Sequence, residues 1–151
     1  MWFFNELKQI LKVDNLNLKN SENFILSDED ITDYVLNRFE NLKKEPTINK
    51  LVQFHTSNKF LLMSHNQDKL RLLGNIVANH KITTSDCITD YEIHLRETLS
   101  STPTIKRHIN TLLYVFGHFS RDFGQSQKEL FLNFIEEFRE GKITLGQHYV
   151  K

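Results

Sequence analysis

The feature that most constrains this chain is a series of apolar stripes at helical spacing, each opened by a capping residue and closed by a helix stop. Ser27 precedes Asp28, Glu29 and Asp30; Ile31, Tyr34, Val35, Phe39 and Leu42 then recur at intervals that suit one helix, before Lys43, Lys44 and Glu45-Pro46. Acids in a first turn and lysines in a last turn both complement the helix dipole, and a residue ahead of a proline leaves the helical region. The pattern predicts a helix over 28–44.

The same logic continues along the chain. Thr47 or Asn49 opens a helix to about His65, in which Ile48, Leu51, Val52 and His55 share a face and Phe60-Leu61-Leu62-Met63 is apolar nearly all round. A helix from about Asp68 to Ala78 carries Leu70, Leu73 and Val77 on one stripe, with Gly74 inside it as a place for a close helix crossing. Ser85 is the expected cap of a helix to Leu99, with Ile88, Tyr91, Leu95 and Leu99 inward. After the turn Ser100-Ser101-Thr102-Pro103, Thr104 caps a long helix bearing Ile109, Leu112, Leu113, Phe116 and Phe119. Ser126-Gln127-Lys128-Glu129 reads as a capping box ahead of Leu130, Phe131, Phe134, Ile135 and Phe138, and Gly141 suits the position just past the helix end.

No stretch alternates with a period of two, and there is no repeat at a fixed interval. With 12 Phe, 5 Gly and 2 Pro in 151 residues, large unbranched and aromatic side chains outweigh turn formers, which favours helices over a sheet sandwich. The expected fold is all-α, a compact bundle of six to seven helices. A chain of this size buries roughly two-thirds of its unfolded surface, enough for one core. The expected organisation is an N-terminal amphipathic helix (Trp2 to Val13, with Phe3, Leu7, Ile10 and Leu11 on one stripe) and an Asn-rich linker over 1–23, then a helical domain over 24–151.

Net charge is zero, so overall charge argues for no particular partner. Its distribution is uneven. Residues 1–46 hold six Lys/Arg and nine Asp/Glu, residues 47–84 hold Lys50, Lys59, Lys69, Arg71 and Lys81 against Asp68, and residues 101–121 hold Lys106, Arg107 and Arg121 with no acid. A basic middle therefore lies between acidic flanks, a pattern open both to solvated helix faces and to a polyanion site. The first turn of the helix after Thr104 is basic, where backbone N–H groups already favour an anion and cations are unfavourable to the helix itself. A phosphate there offsets that cost. Lys59, His65, Lys69 and Arg71 flank the turn at Asn66 and form a second cluster. Phe60, Tyr114 and Phe119 have the rings to stack bases, although core packing is the favoured role for each of them.

Motifs for chemistry are sparse. His55 and His65 stand ten residues apart, as do His108 and His118, whereas a helical zinc pair needs three or four. There is no glycine-rich phosphate loop and no nucleophile elbow. The single cysteine, Cys87, cannot form an internal disulfide or hold a cluster alone, and it fits a reducing, cytoplasmic setting. The apolar start meets charge at Glu6, too soon for a signal peptide, and no stretch approaches a membrane span. The expectation is no catalytic residue, no metal and no cofactor.

Leu51-Val52-Gln53-Phe54-His55, Lys59-Phe60-Leu61-Leu62-Met63-Ser64-His65 and Arg71-Leu72-Leu73-Gly74, followed by Arg107-His108-Ile109-Asn110-Thr111-Leu112 with Gly117 and Phe119, and by Phe138-Arg139-Glu140-Gly141, together resemble the YbgA-like family of bacterial proteins. The resemblance spans residues 24–141. It implies a helical domain of unknown function that also occurs fused to a thiouracil or tRNA thiouridine desulfidase domain, where the helical half is thought to bind tRNA and the partner carries the cysteines. Tyr114 and His118 depart from the family pattern, which often has His and Tyr at these places in turn. Residues 143–149 compress a longer C-terminal segment, and the N-terminal helix has no counterpart.

The combined reading is a non-catalytic domain that binds structured RNA, tRNA above all, as the accessory half of a desulfidase system. Lys59, Lys69, Arg71, Lys106 and Arg107 are the expected phosphate contacts, and His65 and His108 the polar anchors. One rival is a protein-interaction module, with the aromatic N-terminal helix forming a homodimer or engaging a partner protein. The other is a small metal protein or enzyme using His55, His65 and His108.

Overall fold

Four polar side chains set where helices begin. Thr47 accepts from the Lys50 N–H at 3.2 Å and opens a helix at Ile48. The Asn66 side-chain oxygen accepts from the N–H groups of Asp68 and Lys69, each at 3.1 Å, while its own N–H donates to the Leu62 carbonyl at 2.9 Å. One residue thus closes a helix and opens the next. Thr83 accepts from the Asp86 N–H at 3.1 Å, and Thr104 from the Arg107 N–H at 3.3 Å.

The computed structural model describes residues 28–143. It contains, among those residues, α1 (Asp28–Lys43), α2 (Ile48–His65), α3 (Gln67–Val77), α4 (Thr84–Leu99), α5 (Ile105–Phe119), a 3-10 turn (Ser120–Asp122) and α6 (Gln125–Arg139), with no strand. The all-α expectation holds. The N-terminal amphipathic helix, the Asn-rich linker, the Ser27 cap and the final residues from Thr144 lie outside the described residues.

The chain divides into two compact units, one from Leu26 to Arg107 and one that includes the described residues from His108 onward, with the boundary inside α5. In the first unit, Val35 and Phe39 of α1, Leu51, Phe54 and Leu62 of α2, Leu70 and Leu73 of α3, and Ile88, Tyr91, Leu95 and Leu99 of α4 form the core. Each fully buried leucine of this set contributes about 1.5–3 kcal/mol relative to exposure. At its centre the ring of Phe39 stacks on Tyr91 (centroids 5.6 Å apart), and Phe54 meets both rings edge-on at 5.2 and 6.1 Å. Edge-to-face and offset arrangements are the geometries aromatic pairs favour. Charge closes the α1–α4 seam. Lys43 Nζ lies 2.9 Å from both Glu40 and Glu92, and the Arg96 guanidinium reaches Glu92 at 2.8 Å and Glu40 at 3.1 Å. These two cations hold the Glu92 carboxyl below its ordinary range.

In the second unit, the buried residues are Ile109, Thr111, Leu112 and Val115 of α5 and Phe131, Phe134, Ile135 and Phe138 of α6. Phe116 stacks on Phe131 at 4.0 Å and on Phe123 at 5.8 Å. α6 ends in a Schellman motif. Gly141 takes φ +70°, its N–H donates to the Phe138 carbonyl, and the Lys142 N–H donates to Glu137.

Four local expectations are corrected. The cap of α4 is Thr83 rather than Ser85, because Thr83 and Asp86 bond reciprocally: the hydroxyl also donates to the Asp86 carboxylate at 2.8 Å. The cap of α6 is Gly124 rather than Ser126. The Gln127 side chain reaches back to accept the Gly124 N–H at 2.9 Å, and Glu129 accepts from Gln125. Tyr34 follows the stripe of α1 in sequence but is 61% exposed, with the Arg38 guanidinium 5.7 Å from its ring centre. Gly74 is not demanded by a close helix crossing, since a Cβ there would sit 3.6 Å from His55 Nε2, an ordinary contact.

Candidate nucleic-acid interface

The C-terminal end of α2, the first turn of α3, the end of α4 and the start of α5 meet at one corner of the first unit. The geometry is set by the turn Ser100–Pro103. His65, the last residue of α2, places Nδ1 2.7 Å from the Ser101 carbonyl oxygen. A carbonyl only accepts, so Nδ1 carries the proton. The Arg107 guanidinium donates from Nη1 to the next carbonyl, Thr102, at 3.3 Å. Two side chains from different helices therefore address consecutive peptide groups, whose Cα atoms lie about 3.8 Å apart.

Lys69, in the first turn of α3, forms an ion pair with Glu97 near the end of α4. Glu97 also accepts from His94 Nδ1 at 3.0 Å, and the Lys69 partner first, then His94, holds its carboxyl below the ordinary carboxylate range. Arg71, with 71% of its side chain exposed, lies 3.6 Å from Asp68. Lys106 is exposed in the first turn of α5 beside Arg107. The Ser101–Thr102 turn and Glu97 thus tie His65, Arg107 and Lys69 to this corner, while Arg71 follows Lys69 by two residues on α3 and Lys106 precedes Arg107 on α5.

The remaining expected members stand elsewhere. Lys59 lies six residues before His65, about 9 Å along the helix axis at 1.5 Å per residue, with its Nζ 4.9 Å from the Phe60 ring centre. His108 belongs to the second unit, its ring 6.4 Å from that of Phe138. His65, an expected polar anchor, is 2% exposed and links α2 to the Ser101 turn from inside. Glu97 was missed by sequence reasoning. Its signal was its place, since an acid in the last turn of a helix opposes the dipole and calls for a cation.

Two sites with chemical potential are quiet. The His55 Nδ1 lies 3.1 Å from the Tyr91 hydroxyl. Burial pushes Tyr91 far above its ordinary range; burial first, and the Lys59 charge second, pushes His55 down. The ring is therefore neutral and the hydroxyl protonated, and the two share this hydrogen bond. Cys87 is buried, its thiol donates to the Ile76 carbonyl at 3.4 Å, and burial raises it above the ordinary thiol value. A protonated, enclosed thiol is a poor nucleophile. Among the described residues, no group of three or more His, Cys, Asp or Glu side chains is placed to hold a metal ion. Among the same residues, no helix is long and apolar enough to cross a membrane.

Tyr114 and His118 of α5, the two departures from the family pattern, form one ring pair with centroids 4.7 Å apart at 70°. An exchange of the two residue types keeps a tyrosine–histidine pair one helical turn apart.

Comparison with known proteins places these features in a family. A family model described as a protein of unknown function (DUF1722) matches residues 59–149, more than half of the chain. The chain is 25% identical over 115 residues to "Uncharacterized protein YbgA" of Escherichia coli (strain K12), covering 74% of this chain and 68% of that protein. No solved structure matches. The chain belongs to the DUF1722 family of proteins of unknown function, the YbgA-like family its sequence resembles.

Proposed function

We propose that this protein is a non-catalytic module that binds structured RNA, tRNA in the first instance, through the corner built by α2, α3 and the first turn of α5. The observation that carries the reading is the start of α5. Lys106 and Arg107 lie in a first turn, residues 101–121 contain no acid, and the Arg107 guanidinium reaches the Thr102 carbonyl of the preceding turn. A cationic first turn is unfavourable to the helix alone and favourable once an anion docks.

Lys69 and Arg71 support the same surface more weakly, because Glu97 and Asp68 partly neutralise them. Both pairs are exposed, and exposed ion pairs exchange partners at little cost, so a phosphate can displace the carboxylates. The quiet chemistry of Cys87 and His55 fits a protein that binds and leaves any reaction to a partner enzyme, such as a separate tRNA thiouridine desulfidase.

Binding to total tRNA, with duplex DNA as control, at two salt concentrations tests the reading. Replacing Lys106 and Arg107 by Ala lowers the salt slope by up to about two units, as two lost phosphate contacts require. An unchanged slope removes them from the interface.

A further inference from the structure

Glu97 serves two donors through one oxygen. Its Oε2 pairs with Lys69 Nζ from the first turn of α3 and accepts from His94 Nδ1, three residues earlier on α4, at 3.0 Å. All three side chains are partly exposed, so water and ions reach the cluster. With a neutral imidazole the three groups sum to zero charge. With an imidazolium they carry one positive charge in excess, and two cations crowd a single oxygen. Histidine is the side chain whose ordinary titration falls between pH 5 and 8.

The charges around the cluster have contacts of their own. On α3, Arg71 lies 3.6 Å from Asp68. From α1, Glu40 and Lys43 engage Glu92 and Arg96 at the α1–α4 seam. α2 meets α4 through His55, bonded to Tyr91, and reaches the turn after α4 through His65, bonded to Ser101. Lys59 of α2 lies against the Phe60 ring, and Arg107 at the start of α5 reaches the Thr102 carbonyl. Asp90 stands four residues before His94 on the same side of α4 and favours a charged ring as well.

The two donors are not equal competitors for Oε2. Protonation adds a Coulomb attraction to a bond that His94 already makes within its own helix. Lys69 reaches the same oxygen from a different helix on a four-carbon stem, so holding it there costs more side-chain freedom. The imidazolium also repels the ammonium beside it.

We propose that His94 is a proton-operated latch on Lys69: the neutral ring leaves Lys69 on Glu97, and the protonated ring takes over Glu97 and releases Lys69 to an anionic ligand. This rests on the RNA-binding reading and adds a regulation to it, with an RNA phosphate as the ligand. The sign follows directly. Binding gains one phosphate contact as pH falls through the histidine range and loses it as pH rises.

The first test needs no RNA. NMR of the full chain between pH 7.5 and 5.5 follows the His94 ring and the Lys69 ε-methylene. The Lys69 signals are expected to move with the His94 titration in the parent and to stay in place in His94→Gln. Lys69 signals that ignore His94 overturn the latch whatever RNA does. The second test measures tRNA binding against salt at pH 7.5 and 5.5. The parent slope is expected to steepen at the lower pH, up to about one unit of it through Lys69. His94→Gln and Lys69→Ala each remove that unit, and Glu97→Gln shows it already at pH 7.5. Steepening that is unchanged in His94→Gln or in Lys69→Ala overturns the latch, while a slope that still falls in Lys106→Ala/Arg107→Ala leaves RNA binding standing. No tRNA binding at low salt at either pH overturns both readings.

Discussion

The imidazole of His65 is bonded through Nδ1 to the carbonyl oxygen of Ser101, 36 residues further along the chain, at 2.7 Å. This one bond ties the end of α2 to the turn from which α5 starts, and Arg107 hangs from the next carbonyl. His65→Ala removes this donor from the half-buried Ser101 carbonyl and empties a buried ring site, with the lost hydrogen bond alone costing about 0.5–1.5 kcal/mol. Thermal denaturation of the variant should show that loss, and tRNA affinity should fall with it because Arg107 loses its frame. A melting temperature equal to that of the parent protein would show that the bond does not hold the corner.

Glu97 offers a change in the opposite direction. It pairs with Lys69 and His94 at an exposed position, so it competes with phosphate for the lysine. Glu97→Gln is expected to tighten RNA binding and steepen its salt dependence by up to about one unit, with little change in melting temperature. Weaker binding would mean that the pair positions Lys69 instead of masking it.

His55 links stability to pH. Its folded-state pKa lies below the ordinary value of 6.5, through burial first and Lys59 second. The unfolded chain therefore takes up a proton there before the folded one does. The contribution is complete above about pH 6.5 and is lost as pH falls from there through the lower folded value. Urea denaturation between pH 7.5 and 5 should show declining stability, and His55→Gln should flatten part of that decline. An identical pH profile for the variant would contradict a neutral His55 bonded to Tyr91.

The two helix-interior glycines give a stability test. A Cβ at Gly117 meets nothing within 4 Å, and one at Gly74 meets His55 Nε2 at 3.6 Å. Both substitutions to Ala are accommodated, so each is expected to stabilise the protein, Gly117→Ala by about 1 kcal/mol and Gly74→Ala by no more than that. Destabilisation at Gly74, seen as a lower urea midpoint, would restore the close-crossing role that its position in sequence first indicated.

Much of this fold was legible because local signals agree. Thr47 and Thr104 bond their helix starts as their types require, and Leu70, Leu73 and Val77 bury the stripe their spacing predicts. The failures have a common cause. Ser85 and Ser126 are good caps in isolation, but Thr83 and Gly124 win because Asp86 and Gln127 supply a reciprocal bond from three residues on. Tyr34 sits at the edge of its stripe, where spacing cannot decide between core and solvent. In the candidate site, the absence of acids over 101–121 was visible in the sequence. The masking of Lys69 by Glu97 was not, because those residues are 28 apart and only the α3–α4 packing brings them together. The Tyr114–His118 pair was equally hidden, since an aromatic at helical spacing reads the same whether it faces core or solvent.

The central claim is that the basic start of α5 engages RNA, and its most direct test is tRNA affinity as a function of salt for the parent chain and for Lys106→Ala/Arg107→Ala. The account predicts salt-sensitive binding that prefers tRNA over duplex DNA, with a slope shallower by up to about two units in the double variant. Binding that fails at low salt, or a slope indifferent to the two substitutions, would contradict it.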